Sequence, residues 1–109
     1  MKKELLNEQA YKEVTENTKC VIQFTADWCG PCKSLKPILE TTSSQFGVEY
    51  RIVNIENNRN LAMSKGIRSI PFVEIHSGGE LKDSFVGSKN KKQLDEIFSA
   101  YFGGRAYNE

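Results

Sequence analysis

Cys29 and Cys32 are separated only by Gly30 and Pro31. If the pair straddles the start of a helix, positions i and i+3 lie on one face. The sulfurs can then join as a disulfide and part only slightly as a dithiol. Cys29 would sit at the helix N-terminus, where the dipole and unpaired N–H groups stabilise an anion. That favours thiolate, the species that attacks a disulfide. Cys32, one turn in, would be less exposed. The asymmetry implies two roles. Cys29 attacks a substrate and is held in a mixed disulfide; Cys32 then attacks the Cys29 sulfur and releases reduced substrate.

Two plainer readings use the same residues. A structural disulfide here would close a loop of only four residues, worth about 2 kcal/mol in the chain-entropy model; a staple joining distant segments would contribute more. A zinc site would need four ligands, and Cys20, Cys29, Cys32 and His76 supply that number. Distance argues against it. Cys20 begins the strand that delivers Cys29, about 20 Å away at about 3.3 Å per residue. His76 follows Pro71 by five residues, about 15 Å along a strand. No metal is therefore expected. Cys20 reads as a small buried apolar residue, and His76 as a strand surface residue rather than a general base.

The elements that must position the dithiol can be read from the pattern. Lys3–Leu6 is a weak edge-strand candidate. Asn7 suits the N-cap of a helix to about Asn17. Cys20–Thr25 is a nearly continuous apolar and β-branched run, broken by Gln23, and reads as a buried central strand. After a turn at Ala26–Cys29, a helix from about Pro31 to Gln45 carries Leu35, Ile38, Leu39, Thr42 and Phe46 at near-helical spacing. Pro31 suits its first turn, Pro37 should kink it and Gly47 ends it. Val48–Ile55 is a second strand, and Asn57–Lys65 a polar helix closed by Gly66. Phe72–His76 and Leu81–Val86 flank Ser77-Gly78-Gly79-Glu80 as a hairpin. A last amphipathic helix spans about Lys91–Phe102, with Leu94, Ile97, Phe98 and Tyr101 on one side. Residues 103–109 read as a flexible tail. This order predicts an α/β fold, a mixed sheet with helices on both faces.

The chain has 109 residues, enough for one domain with its own core. Basic and acidic residues nearly balance, at 15 and 14, which leaves no electrostatic reason to expect nucleic acid or an anionic membrane. No stretch approaches the roughly 20 apolar residues of a membrane span. Met1-Lys2-Lys3-Glu4 is followed by no apolar run, so a signal peptide is not expected. A reducing, cytoplasmic setting is then expected, where a cysteine pair is more often catalytic or metal-binding than structural.

Trp28-Cys29-Gly30-Pro31-Cys32-Lys33, following an apolar strand, resembles the motif of thioredoxins. The resemblance covers nearly the whole chain. Pro37 matches the family's kinked second helix, Gly66-Ile67-Arg68-Ser69-Ile70-Pro71 its loop ending in a cis-proline, and Phe85-Val86-Gly87 its last-strand substrate rim. The resemblance implies the thioredoxin fold over residues 1–109, with four to five strands and about four helices on both faces. It implies a cis Ile70–Pro71 bond beside the sulfurs, whose fixed turn presents the Ile70 backbone to an added substrate strand. Trp28, Gly30, Pro31, Ile70, Pro71, Val86 and Gly87 would form a rim that binds disulfide segments without strict sequence reading. Lys33 would hold the thiolate or steer an acidic partner, or is simply a solvated lysine. The implied activity is reduction of protein disulfides, with no cofactor beyond the redox-active disulfide, a separate thioredoxin reductase as electron donor, and a monomeric chain. An oxidase or isomerase, and a redox-independent scaffold, are the competing functions.

One departure is chemical. Thioredoxins commonly carry a buried Asp six residues before the nucleophile, paired with a Lys on the neighbouring strand. Here those positions align with Gln23 and Ile52. Losing both partners together is coherent, because one alone would be an uncompensated buried charge. Gln cannot act as a base at neutral pH. Deprotonation of Cys32 would then rely on water or the leaving thiolate, unless Gln23 is only a hydrogen-bonded core amide. Gln23→Asp is expected to add an inflection to the pH–rate profile; superimposable profiles for wild type and variant would refute a chemical role for the position.

Overall fold

The computed structural model describes residues 3–104. The order is α1 (Glu8–Asn17), β1 (Cys20–Thr25), α2 (Gly30–Phe46), β2 (Glu49–Asn54), α3 (Arg59–Ser64), β3 (Phe72–Ser77), β4 (Glu80–Val86) and α4 (Lys91–Phe102). The strands form one sheet in the order β2-β1-β3-β4. β1 runs parallel to β2 and antiparallel to β3, and β3 antiparallel to β4. Among the described residues the expected α/β class, mixed sheet and four helices are present, with four strands.

Lys3–Leu6 does not become a fifth strand. The Leu5 N–H donates to the Ile52 carbonyl at 2.8 Å, and the Ile52 N–H to the Lys3 carbonyl at 3.0 Å. The chain then leaves the sheet, because Asn7 caps α1 by accepting from the Ala10 N–H at 2.8 Å. A single bridge, Glu4 to Ile52, is what remains. β2 and α3 are both shorter than the sequence pattern suggests. The cause is Asn54, whose Oδ1 accepts from the Glu56 and Asn57 N–H groups and turns the chain between them.

Alternation along β1 divides the core between the two sheet faces. Val21 packs with Leu35, Leu39, Phe46, Leu94 and Phe98 of α2 and α4. Cys20, Ile22 and Phe24 pack with Tyr11 of α1 and Leu61 of α3. Gly47 ends α2 in the left-handed region at φ 68°, where its missing side chain avoids a clash.

His76 is a correction. It is buried, not a surface residue, because α1 covers the β3 face that a period-two reading assigns to solvent. The same face holds Glu74, 1% exposed. Its Oε1 accepts from the Tyr11 hydroxyl at 2.5 Å and lies 2.9 Å from His76 Nε2. Its Oε2 lies 2.8 Å from Lys65 Nζ at the end of α3. Burial alone would push the Glu74 carboxyl up. The bonds from His76, Lys65 and Tyr11, with the Lys65 charge, outweigh burial and hold it below the ordinary range.

Glu74→Gln is expected to destabilise the fold by about 3 kcal/mol near neutral pH, since removing one member of a buried pair strands the other. The sign of the pH dependence follows from the lowered carboxyl. Its stabilisation is complete above the unfolded value, about 4.3, and is lost as pH falls through the lower folded value. Urea titrations across that range should show the gap between wild type and variant closing on acidification. A gap of constant size would assign the effect to shape rather than charge.

Candidate active site

β1 ends at Thr25, and the chain turns into α2 through a bond from the Cys29 N–H to the Ala26 carbonyl at 3.1 Å. Cys29 is the N-cap of α2, with extended backbone, and Pro31 sits in the first turn. The Cys29 sulfur takes the place of a capping oxygen: it accepts from the Cys32 N–H at 3.3 Å. Cys29 and Cys32 are joined as a disulfide, with Cα atoms 5.3 Å apart. Both are buried, at 4% and 1% exposure, the deeper one being Cys32 as expected.

Strand direction gathers the rim. Because β1 and β3 are antiparallel, Phe24 pairs with Phe72, so the start of β3 lies at the dithiol end of the sheet. Phe72 in turn pairs with Val86, which brings the end of β4 to the same place. Ile70–Pro71 is cis, as the motif implied. The Gly87 N–H donates to the Pro71 carbonyl at 2.8 Å, and Gly87 holds φ 90°, a conformation that favours glycine. Trp28 and Val86 are 68% and 55% exposed. Gly30, Pro31 and Lys33 are exposed, Ile70 and Gly87 partly so, and Pro71 is buried. A side chain at Gly30 would meet nothing within 4 Å, so the backbone there is open to approach.

Cys20 and His76 pair with each other at the far end of the sheet. Burial pushes the Cys20 thiol up to about 11, with a hydrogen bond from Thr18 acting the other way. Among the described residues, no three His, Cys, Asp or Glu side chains gather to hold a metal ion.

Gln23 is buried beneath α2, in register with Ile52. Its Nε2 donates to the Cys32 carbonyl at 3.0 Å, and its Oε1 accepts from the Tyr50 hydroxyl at 2.5 Å. Sequence reasoning missed Tyr50. The available signal was β2 alternation, which puts Tyr50 on the same face as Ile52, two residues away. Burial, then the Glu40 charge, push the Tyr50 hydroxyl up, so it remains a donor. A neutral relay thus ties β2 through β1 to the helix turn that holds Cys32.

The model of the Thioredoxin family matches residues 2–100. The chain belongs to the thioredoxin family. A thioredoxin of Rickettsia felis is 40% identical over 86 residues, covering 76% of this chain and 82% of that one. A thioredoxin of Listeria monocytogenes is 31% identical over 98 residues, covering 88% and 95%. A chloroplastic M-type thioredoxin of maize is 35% identical over 88 residues, 79% of this chain, which spans about half, 53%, of the maize protein. Among solved structures, a single-site mutant of thioredoxin from Halobacterium salinarum superposes with a TM-score of 0.84 at 27% identity, covering 91% of this chain and 88% of that one. The fold is the thioredoxin fold, and the closed Cys29–Cys32 pair is the dithiol–disulfide couple of a thiol–disulfide oxidoreductase.

Tyr50→Phe removes the donor to a buried amide oxygen. A loss of about 1–3 kcal/mol in unfolding free energy is expected, constant through neutral pH because the tyrosine keeps its proton. An unchanged urea midpoint would mean that Gln23 finds another donor.

Proposed function

We propose that this thioredoxin-family chain is a protein-disulfide reductase, with Cys29 as nucleophile and Cys32 as resolving thiol. The observation that supports this most is the Cys29 sulfur at the mouth of α2, accepting the Cys32 N–H. An anion there gains from the helix dipole and from that bond. The reduced Cys29 thiolate attacks one sulfur of a substrate disulfide; a new S–S bond forms and the other substrate thiolate leaves. The Cys32 thiolate then attacks the Cys29 sulfur, the mixed disulfide breaks, and the second substrate thiolate leaves. Two electrons pass to the substrate and the pair closes as a disulfide.

Trp28, Gly30, Pro31, Ile70, Pro71, Val86 and Gly87 form the proposed docking rim. The exposure of Trp28, Gly30, Pro31 and Val86, with Ile70 and Gly87 partly open, at the dithiol end of the sheet supports weak binding of many extended segments. Lys33 adds a positive charge near the pair. A separate thioredoxin reductase returns the electrons. The chain works as a monomeric single domain, with residues 103–109 as its tail, of which 105–109 lie outside the described residues. The cytoplasm is the proposed location. Among the described residues, no helix is long and apolar enough to cross a membrane.

Reduction of a disulfide-bonded protein with dithiothreitol as donor tests the reading. Cys29→Ser should abolish turnover with the fold retained. Cys32→Ser should capture substrate and stall, visible as a stable mixed disulfide by mass. Equal turnover in wild type and Cys29→Ser would overturn it.

A further inference from the structure

Beside Cys32 lies a cleft of about 460 Å3, which also reaches Gln23. It is open to the surface between the start of α2 and the β2 edge, and polar side chains stand among apolar ones in its lining, so water can enter it and find partners. Gln23 and the charged groups that line it with Cys32 can be sorted by what they can do with a proton. Gln23 is neutral and cannot act as a base. Lys3, Lys33 and Lys36 carry positive charge and are no acceptors when protonated. Two carboxylates remain, Glu4 and Asp27. Glu4 stands beyond β2 on the N-terminal segment and is engaged by Asn57 Nδ2, 3.3 Å from its Oε2. Asp27 belongs to the turn that carries the dithiol itself, two residues before Cys29.

Asp27 is also oriented. Asn54 Nδ2 donates to its Oδ1 at 3.2 Å. Asn54 is buried, and its Oδ1 is fixed by the Glu56 and Asn57 N–H groups, so the amide cannot turn freely. A rigid amide at the end of β2 therefore holds this carboxylate in the cleft that reaches Cys32.

We propose that Asp27, held by Asn54, accepts the Cys32 proton through water in this cleft and so performs the task that Gln23 cannot. The proposal rests on the reading of Cys32 as the resolving thiol. In the step, the Cys32 S–H bond breaks and its proton passes through water to the Asp27 carboxylate. The Cys32 electron pair attacks the Cys29 sulfur of the mixed disulfide, and the departing substrate thiolate takes the pair from the broken bond. Asp27 then returns the proton to that thiolate or to solvent. Asp27 acts through water and is a positioning residue for proton transfer. Asn54 positions Asp27.

The test uses the full chain, reduced, mixed with excess 5,5′-dithiobis(2-nitrobenzoate) in stopped flow. The first release of coloured thiolate reports attack by Cys29, and the second reports resolution by Cys32. Cys32→Ser should lose the second release; if it does not, the assignment of Cys32 fails, whatever Asp27 does. Asp27→Asn should slow the second release relative to the first by about a hundredfold, the low end for a positioned proton acceptor. Asp27→Glu should restore part of the rate. Gln23→Asp in the Asp27→Asn background should restore it from the other wall of the cleft. The sign separates this role from a merely electrostatic one. Deleting a negative charge near a thiol favours its thiolate and would speed the second release. A second release that is unchanged or faster in Asp27→Asn overturns the proposal.

Discussion

The bond from the Cys32 N–H to the Cys29 sulfur is the constraint on which the site depends. It exists because β1 delivers Cys29 to the one backbone position, the N-cap, whose side chain faces the free amides of a helix. An oxygen there would merely cap. A sulfur there caps as well, so the group that starts α2 is also the proposed nucleophile. The antiparallel pairing of β1 with β3 supplies the rest: it turns the start of β3 and the end of β4 toward that helix mouth.

The two faces of the sheet resolve buried polarity in opposite ways. Under α2, the Gln23–Tyr50 relay is neutral and joins the Cys32 carbonyl. Under α1 and α3, Glu74 keeps its charge, answered by Lys65, His76 and Tyr11. A buried charge under α2, shielded from water, would shift thiol protonation strongly. Charge placed on the other face, with His76 at the Cys20 end of β3, steadies the packing of α1 and α3 from the opposite face of the sheet.

Much of this was legible in the sequence, and the misses share a cause. The helix mouth could be read because Pro31, the apolar run before it and the cysteine spacing all point to the same boundary. Gln23 stood out as the one amide in an apolar strand. His76 was misread because alternation reports which residues share a face, not whether that face is covered. Tyr50 was missed because its role depends on a diagonal neighbour across β1 and β2, which register alone reveals. Asp27 looked like an ordinary turn residue, since its partner Asn54 is distant in sequence. Lys3–Leu6 was a weak strand candidate, and Asn7 recruits the next residues into a helix after one bridge.

The sheet edges explain why an apolar rim can be left open here. An unpaired edge invites other strands. Beyond β2, the Lys3–Leu5 segment occupies backbone groups of Ile52. Along β4, Glu80, Lys82 and Asp83 line the exposed strand, and a register irregularity at Ile75/His76 interrupts the ladder it shares with β3. Charge and distortion thus discourage pairing along most of β4. Leu81 is the exposed apolar residue among those charges, and toward Val86 and Gly87 the edge becomes apolar again, where Gly87 already gives its N–H to Pro71. The proposed docking of an extended segment would thereby fall at the end of the sheet that carries Cys29, while charge guards much of the remaining edge.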